Sequence, residues 1–287
     1  MLYTTEFNRF LSAFLGRLSE ITDMRIIIVI SLLLLTLTGC PWPEEDDFYY
    51  NYTHPKIAMD GSGNAVLVGV EVLQGELTGG TQAEISSWHY DSDEGWLAGR
   101  LNLGEPFNPF EEGADGIPYP QIAMDASGSA IAVWIQSEID RPSRIRLYAN
   151  HYVLGSGWGE AELISLDPVE AFYGGRFFRN PAIAMDGAGR AIAVWSEASV
   201  NIDEWFNLFK DGPYNLYTNR YVPGNGWEGA QLIESNEETA AHPQIAMNAG
   251  GVAIAIWEQG SDIYTNRYVI GSGWEGEQLI GSGMGNS

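Results

Sequence analysis

The sequence predicts an all-β repeat fold, a propeller built from four recognisable four-stranded blades. Three observations carry that prediction. The stretch Pro-x-Ile-Ala-Met-Asp/Asn-x-x-Gly occurs four times, at Ile57, Ile122, Ile183 and Ile245, with periods of 65, 61 and 62 residues. A run of alternating small and β-branched residues follows each copy, and two more short segments rich in Tyr, Trp and Leu follow that run. Self-similarity at a fixed period marks a repeat architecture, and four short antiparallel strands in each repeat of about 60 residues make one blade.

Each element has its own warrant. The first strand of each repeat ends at Asp60, Asp125, Asp186 or Asn248, and Gly63, Gly128, Gly189 or Gly251 stands three residues on. Asx at the first position of a turn bonds its own backbone two residues later, and Gly supplies the left-handed conformation of a bulged hairpin. Asn248 keeps the acceptor and drops the charge, which assigns this position to turn capping rather than to a metal or to catalysis. The second strand reads Ala130 to Trp134 (AIAVW), Ala191 to Trp195 (AIAVW) and Ala253 to Trp257 (AIAIW). Both of its faces are apolar, as a sheet between two other sheets requires. The first repeat departs here, with Ala65 to Gly69 (AVLVG) and no tryptophan.

The third strand is Tyr148 to Val153, Tyr217 to Val222 and Tyr264 to Val269, with a weaker Ser87 to Tyr90 in the first repeat. Glycine-rich turns lead from it into Trp96, Trp158, Trp227 and Trp274. Leu101, Leu163, Leu232 and Leu279 then mark a fourth strand. The repeats fall near 50–104, 105–166, 167–235 and 236–287, within a propeller domain at 50–287. The hairpin Pro-x-Ile-Ala-x-Asp-x-x-Gly-x-Ala-x-Ala-x-Trp resembles that of bacterial extracytoplasmic β-propellers related to sialidase/Asp-box and NHL-type repeats, over roughly residues 50–280. The resemblance implies the fold and leaves activity open. Neither a literal Asp-box (Ser-x-Asp-x-Gly-x-Thr-Trp) nor the Arg-Ile-Pro signature of sialidases is present. The expected arrangement is four blades packed in a ring, the alternative being a piece of a larger ring.

Residues 1–39 read as a leader. Ile26 to Thr38 is a 13-residue apolar run after Arg25, too short to span a bilayer but suited to a signal-peptide core. Met24 would give it the usual short basic start. Leu37-Thr38-Gly39-Cys40 resembles the bacterial lipobox, which implies lipidation at Cys40 and a mature chain beginning there. Cys40 is the only cysteine, so no intrachain disulfide can form. Residues 40–49 read as an acidic tether. The residue after Cys40 is Pro41 and not Asp, which points to the outer membrane of a cell envelope. The expected attachment to the membrane is through the lipid alone.

The chain carries 14 Lys+Arg against 38 Asp+Glu, a net charge of −24. Such a surface repels nucleic acid and anionic headgroups. The four histidines sit at repeat-equivalent places, His54 with His242 and His89 with His151, and show no zinc-type spacing. Asp91 to Glu94 reads as a solvated turn rather than a calcium loop. No nucleophile elbow is present, no cofactor is expected, and the residues single out no catalytic group.

If strands alternate in direction, the recurrent short turns share one end of the blades. The divergent segments 72–86, 104–119, 136–144, 166–180, 199–213 and 235–242 share the other, and binding residues concentrate on such loops. These segments hold Phe107, Phe110, Tyr119, Phe172, Tyr173, Phe177, Phe178, Trp205, Phe206 and Phe209. The ligand-binding candidates are Phe107, Phe110, Phe172, Tyr173, Trp205 and Phe206, whose rings suit a sugar or a peptide; plugging the base of the ring is the competing use. The expected function is a lipid-anchored extracytoplasmic binding or scaffolding module with a protein partner. A carbohydrate-binding propeller is the alternative, and a sialidase-like hydrolase stands behind both. The lipobox reading makes a direct prediction: Cys40→Ala leaves an unprocessed precursor or releases the protein from the membrane fraction. Unchanged processing and fractionation would refute the anchor.

Overall fold

The structure is a computed structural model that describes residues 49–75, 80–97, 101–103, 119–138, 141–166, 174–201 and 213–283. The leader, Cys40 and the tether up to residue 48 lie outside the described residues. The segment Tyr49–Ser287 packs as one compact unit.

Four antiparallel sheets follow one another along the chain. Blade one holds β1 (Tyr49–Met59), β2 (Ala65–Gly75), β3 (Gly80–Asp91), β4 (Gly95–Trp96) and β5 (Leu101–Asn102). Blade two holds β6 (Gln121–Met124), β7 (Ala130–Glu138), β8 (Arg141–Val153), β9 (Gly157–Trp158) and β10 (Glu162–Leu163). Blade three comprises β11 (Gly174–Met185), β12 (Ala191–Asn201), β13 (Asn215–Val222), β14 (Gly226–Trp227) and β15 (Gln231–Leu232). Blade four comprises β16 (Ala240–Met247), β17 (Ala253–Gln259), β18 (Asp262–Val269), β19 (Gly273–Trp274) and β20 (Gln278–Gly281). The predicted fourth strand is split into two short pieces, both paired to the third strand. The first strands β1, β6, β11 and β16 approach one another in succession and form the inner edge.

Each sheet has two unlike faces. In blades two to four the second strand turns Ala, Ala and Trp toward the preceding blade, and in blades two and three its β-branched residues face the following one. Val66, Val68, Val70, Ile85 and Leu103 of blade one thus meet Ala130, Ala132, Trp134 and Tyr152 of blade two. The same contact recurs between blades two and three and between blades three and four. Trp134, Trp195 and Trp257 are fully buried. Each stacks on the cross-strand tyrosine, Tyr148, Tyr217 or Tyr264, with centroids 6.1, 6.3 and 6.1 Å apart. Each indole N–H also donates two residues along its own strand, to Gln136, Glu197 or Gln259, at 2.9 Å. Small residues beside a large ring let neighbouring sheets nest closely.

A buried asparagine ties each blade to the one before it. The Asn150 amide donates to the Leu103 carbonyl at 3.0 Å, Asn219 to Ile164 at 2.9 Å and Asn266 to Ile233 at 3.0 Å. At Asn219 and Asn266 the side-chain oxygen accepts from the backbone N–H of Gly229 and Gly276. These residues are the Asn of the Tyr-x-Asn-x-Tyr strand. An unpaired polar group is costly in such a site, so the network fixes the stagger between blades.

Two sequence expectations change. The segments read as loops at 72–86, 136–144 and 174–180 are largely strand, because β2, β3, β7, β8 and β11 run past the repeat core as extended hairpins. Alternation explains the first: Val70, Val72, Ala83 and Ile85 stay buried along it. Four-blade closure is not what the described residues show. Hydrophobic clusters join blade one to two, two to three and three to four; none joins four to one. Ile57 and Met59 of blade one are 55 % and 61 % exposed, and Ile254 and Ile256 of blade four 48 % and 40 %, whereas the equivalent Ile192 and Val194 of blade three are 1 % and 0 %.

The asparagine ties yield a stability prediction. Asn219→Ala removes a donor and an acceptor together and strands the buried Ile164 carbonyl, so it should cost about 1–3 kcal/mol in denaturant unfolding. Asn219→Asp should cost more, because it sets a carboxylate against that carbonyl oxygen.

Candidate functional site: blade faces and grooves

The recurrent Asp/Asn turn is structural in every copy. Asp60 Oδ1 accepts from the Ser62 and Asn64 backbone N–H groups at 2.8 and 2.9 Å, and Asp125 Oδ1 from Ser127 and Ser129 at 2.8 and 3.0 Å. Asp186 Oδ1 accepts from Ala188 and Arg190, and Asn248 Oδ1 from Gly250 and Val252. Burial pushes the Asp60 carboxyl up, but the donors at Asn64, Ser62 and Gly63 prevail and hold it below its ordinary value. The Asp91 carboxylate likewise closes its own turn, accepting from the Asp93 and Glu94 N–H groups. Asn64 Oδ1 accepts from the Ser92 N–H at 3.0 Å, placing the first and third turns of blade one at the same end.

A second repeated device crosses from blade to blade. The third-strand residue after the Asn, or after Trp88 in blade one, reaches the tyrosine of the next blade. His89 packs edge-on against Tyr152 with centroids 4.5 Å apart, and His151 lies 5.2 Å from Tyr221, its Nδ1 3.2 Å from the phenol oxygen. Arg220 donates to the Tyr268 hydroxyl and lies 5.6 Å over that ring. Each of these tyrosines also packs on the tryptophan of its own fourth strand, Trp158, Trp227 or Trp274. His89 and His151, which the sequence places at matching third-strand positions, therefore join blades, while His242 lies 3.1 Å from Glu258 within blade four.

The grooves differ in chemistry. Between blades three and four lies one of about 340 Å³, walled by Thr218, Arg220, Glu228, Gln231, Tyr268 and Trp274. Arg220 is held across it by Glu228, with Nε to Oε2 at 2.6 Å. That bond raises the guanidinium and lowers the Glu228 carboxyl from their ordinary values. The pair is neutral as a unit and leaves little charge for an ionic ligand.

The other groove, about 310 Å³, lies on the free face of blade one, lined by Tyr52, Thr53, Pro55, Leu67, Gly69, Trp88 and Trp96. Its lining is almost wholly apolar. Gly69 stands where the other blades carry the core tryptophan, and Trp88 stands where they carry the tying asparagine, as the strand registers show. A Cβ on Gly69 would lie 3.5 Å from the Trp88 ring, so Trp88 covers the place vacated by the missing indole.

The sequence-predicted ligand residues Phe107, Phe110, Phe172, Tyr173, Trp205 and Phe206 lie outside the described residues. Of the other aromatics grouped with them, Phe178 is buried and Phe177 packs beside it in the core between blades two and three. Tyr119 meets the His54 ring edge-on at 5.1 Å. Arg190 bridges Asp186 at 2.6 Å and Arg179 lies 4.3 Å over the Tyr214 ring. Sequence reading missed the buried carboxylates. Glu71 accepts from Tyr52 and Ser86 at 3.3 and 3.0 Å, Glu197 from the Trp195 indole, and Glu234 from Gln259 at 3.0 Å. For Glu197 a signal existed: Gln, Glu or Gln recurs two residues after each core tryptophan.

No protein-family model matches the chain, and sequence comparison with curated proteins finds no match. Solved structures do resemble it. A Hadza microbial sialidase superposes with a TM-score of 0.50 at 13 % identity, over 81 % of this chain and 47 % of its own. A protein of unknown function from Dyadobacter fermentans superposes with a TM-score of 0.50 at 13 % identity, over 82 % of this chain and 70 % of its own. At this identity the likeness shows the fold alone, a β-propeller. The chain spans about half the length of the sialidase.

The half-buried histidines His89 and His151 set a pH dependence. Burial holds the His89 and His151 imidazoles below their ordinary value, and at His151 the charges of Asp125 and Glu162 offset part of that. The unfolded chain takes up these protons more readily, so their contribution is complete above about pH 6.5 and is lost as pH falls through that value. Unfolding midpoints should decline between about pH 7.5 and 5.5, and the His89→Gln/His151→Gln double variant, though less stable, should show a flatter profile.

Proposed function

We propose that this chain is an envelope-anchored propeller that binds a protein partner through its exposed blade faces. The observation that carries the reading is the apolar groove of blade one, continuous with exposed Tyr52, Met59 and Trp96. Monomeric soluble proteins rarely leave such a patch uncovered. Its walls offer aromatic and aliphatic surface with almost no donor or acceptor, which suits protein side chains and not the hydroxyl-rich faces of a sugar. The lipobox at Cys40 would hold this surface at a membrane without using it for attachment.

Carbohydrate binding is the second reading. It draws on the propeller fold shared with a sialidase and on the aromatic segments around Phe107, Phe172 and Trp205. One pair of measurements separates the two. A photo-crosslinking residue at Trp96 should capture a discrete protein in intact cells, and Met59→Asp should abolish the adduct. A glycan array probed with the chain should stay silent. Strong glycan signals with no protein adduct would overturn the protein-binding reading in favour of the second.

A further inference from the structure

The two ends of the blade array are halves of a contact that the molecule already makes three times. Among the described residues no blade packs against the outward face of blade four. Ile254, Ile256 and Ile263 occupy the outward positions, and all three are exposed. Blade one offers the opposite kind of face, with Ile57, Met59, Leu67 and the groove beside Trp88.

The polar device that crosses each internal interface is also present in two halves. At the interface of blades three and four, Arg220 is braced by Glu228 and reaches Tyr268, which rests on Trp274. Blade four repeats the donor half: Arg267 is braced by Glu275 at 2.8 Å. Blade one repeats the receiving half: Tyr90 packs on Trp96 with centroids 5.4 Å apart, in the register that Tyr268 and Trp274 hold. Blade one lacks the asparagine tie, where Trp88 stands, and the core indole, where Gly69 stands. The free contact is therefore more apolar than the internal ones and less rigidly staggered, as befits surfaces that meet after folding.

From this complementarity we infer that the outward face of blade four docks on the free face of blade one of a second copy of this chain, with Arg267 reaching the second copy's Tyr90. The inference rests on the protein-binding reading above and names the partner. The contact joins unlike faces, so two copies can satisfy both ends at once and close into a two-fold ring of eight blades. Eight is within the range that propellers adopt.

The test is the mass of the full-length chain in detergent micelles, by light scattering with the detergent contribution subtracted, across the micromolar range. The expected result is twice the monomer mass. Ile256→Glu on blade four and Met59→Glu on blade one should each give a monomer with an unchanged circular dichroism spectrum, since both positions face outward. Mixing the two variants should restore a dimer through the one intact pair of faces, which a contact between like faces could not do. A wild-type chain that stays monomeric overturns the inference, as does a dimer that survives both substitutions. The protein adduct expected at Trp96 tells the two readings apart: a monomer that still captures a different protein leaves the protein-binding function standing, and a monomer that captures none removes both.

Discussion

Blades two to four each have a face of small residues around one indole, and that face is shaped to receive the branched aliphatics of the blade before it. The rest of the architecture depends on this fit. Ala130, Ala132 and Trp134 lie against the valines of blade one, Ala191, Ala193 and Trp195 against Ile131 and Val133, and Ala253, Ala255 and Trp257 against Ile192 and Val194. Nesting of this kind gains dispersion contacts only at close approach. Close approach leaves no room for water at the sheet margins, so the backbone carbonyls there need a protein donor. The asparagines meet that need, and in doing so fix where one sheet stands against the next.

Much of the fold was legible from periodicity. The Pro-x-Ile-Ala-Met-Asp/Asn-x-x-Gly stretch marks the first hairpin of each blade correctly, and the Asn248 substitution identified its polar residue as a turn cap. Hydrogen bonds in all four copies agree. Legibility ended where repetition ended. The long hairpins of β2 with β3 and β7 with β8 continue on residues that differ from blade to blade, so no internal comparison could mark them as strand. Ring closure was illegible for another reason: it depends on whether faces at opposite ends of the chain meet, and local pattern does not encode that.

The site was less legible than the fold. Aromatic composition pointed to the divergent segments, and the described aromatics nearest to them, Phe177 and Phe178, are packing residues. The informative positions were instead the places where blade one breaks its own pattern. Gly69 and Trp88 look like two unrelated lapses in the sequence. In the sheet they are diagonal neighbours on one face, one removing an indole and the other covering its place. Departures from a repeat carry more functional information than the repeat does, because the repeated residues are already committed to the scaffold.

The serial arrangement of the clusters has a bearing on how the protein loses structure. Every blade draws its burial from immediate neighbours, so cooperativity passes along the array link by link. Blades two and three are clasped on both sides, and blades one and four on one side only. Local opening should therefore begin at the ends and travel inward. In blade four the frayed element would be the hairpin of β17 and β18, whose outward side chains already meet solvent. Whatever seats itself on an end face therefore also slows the opening of the blades behind it.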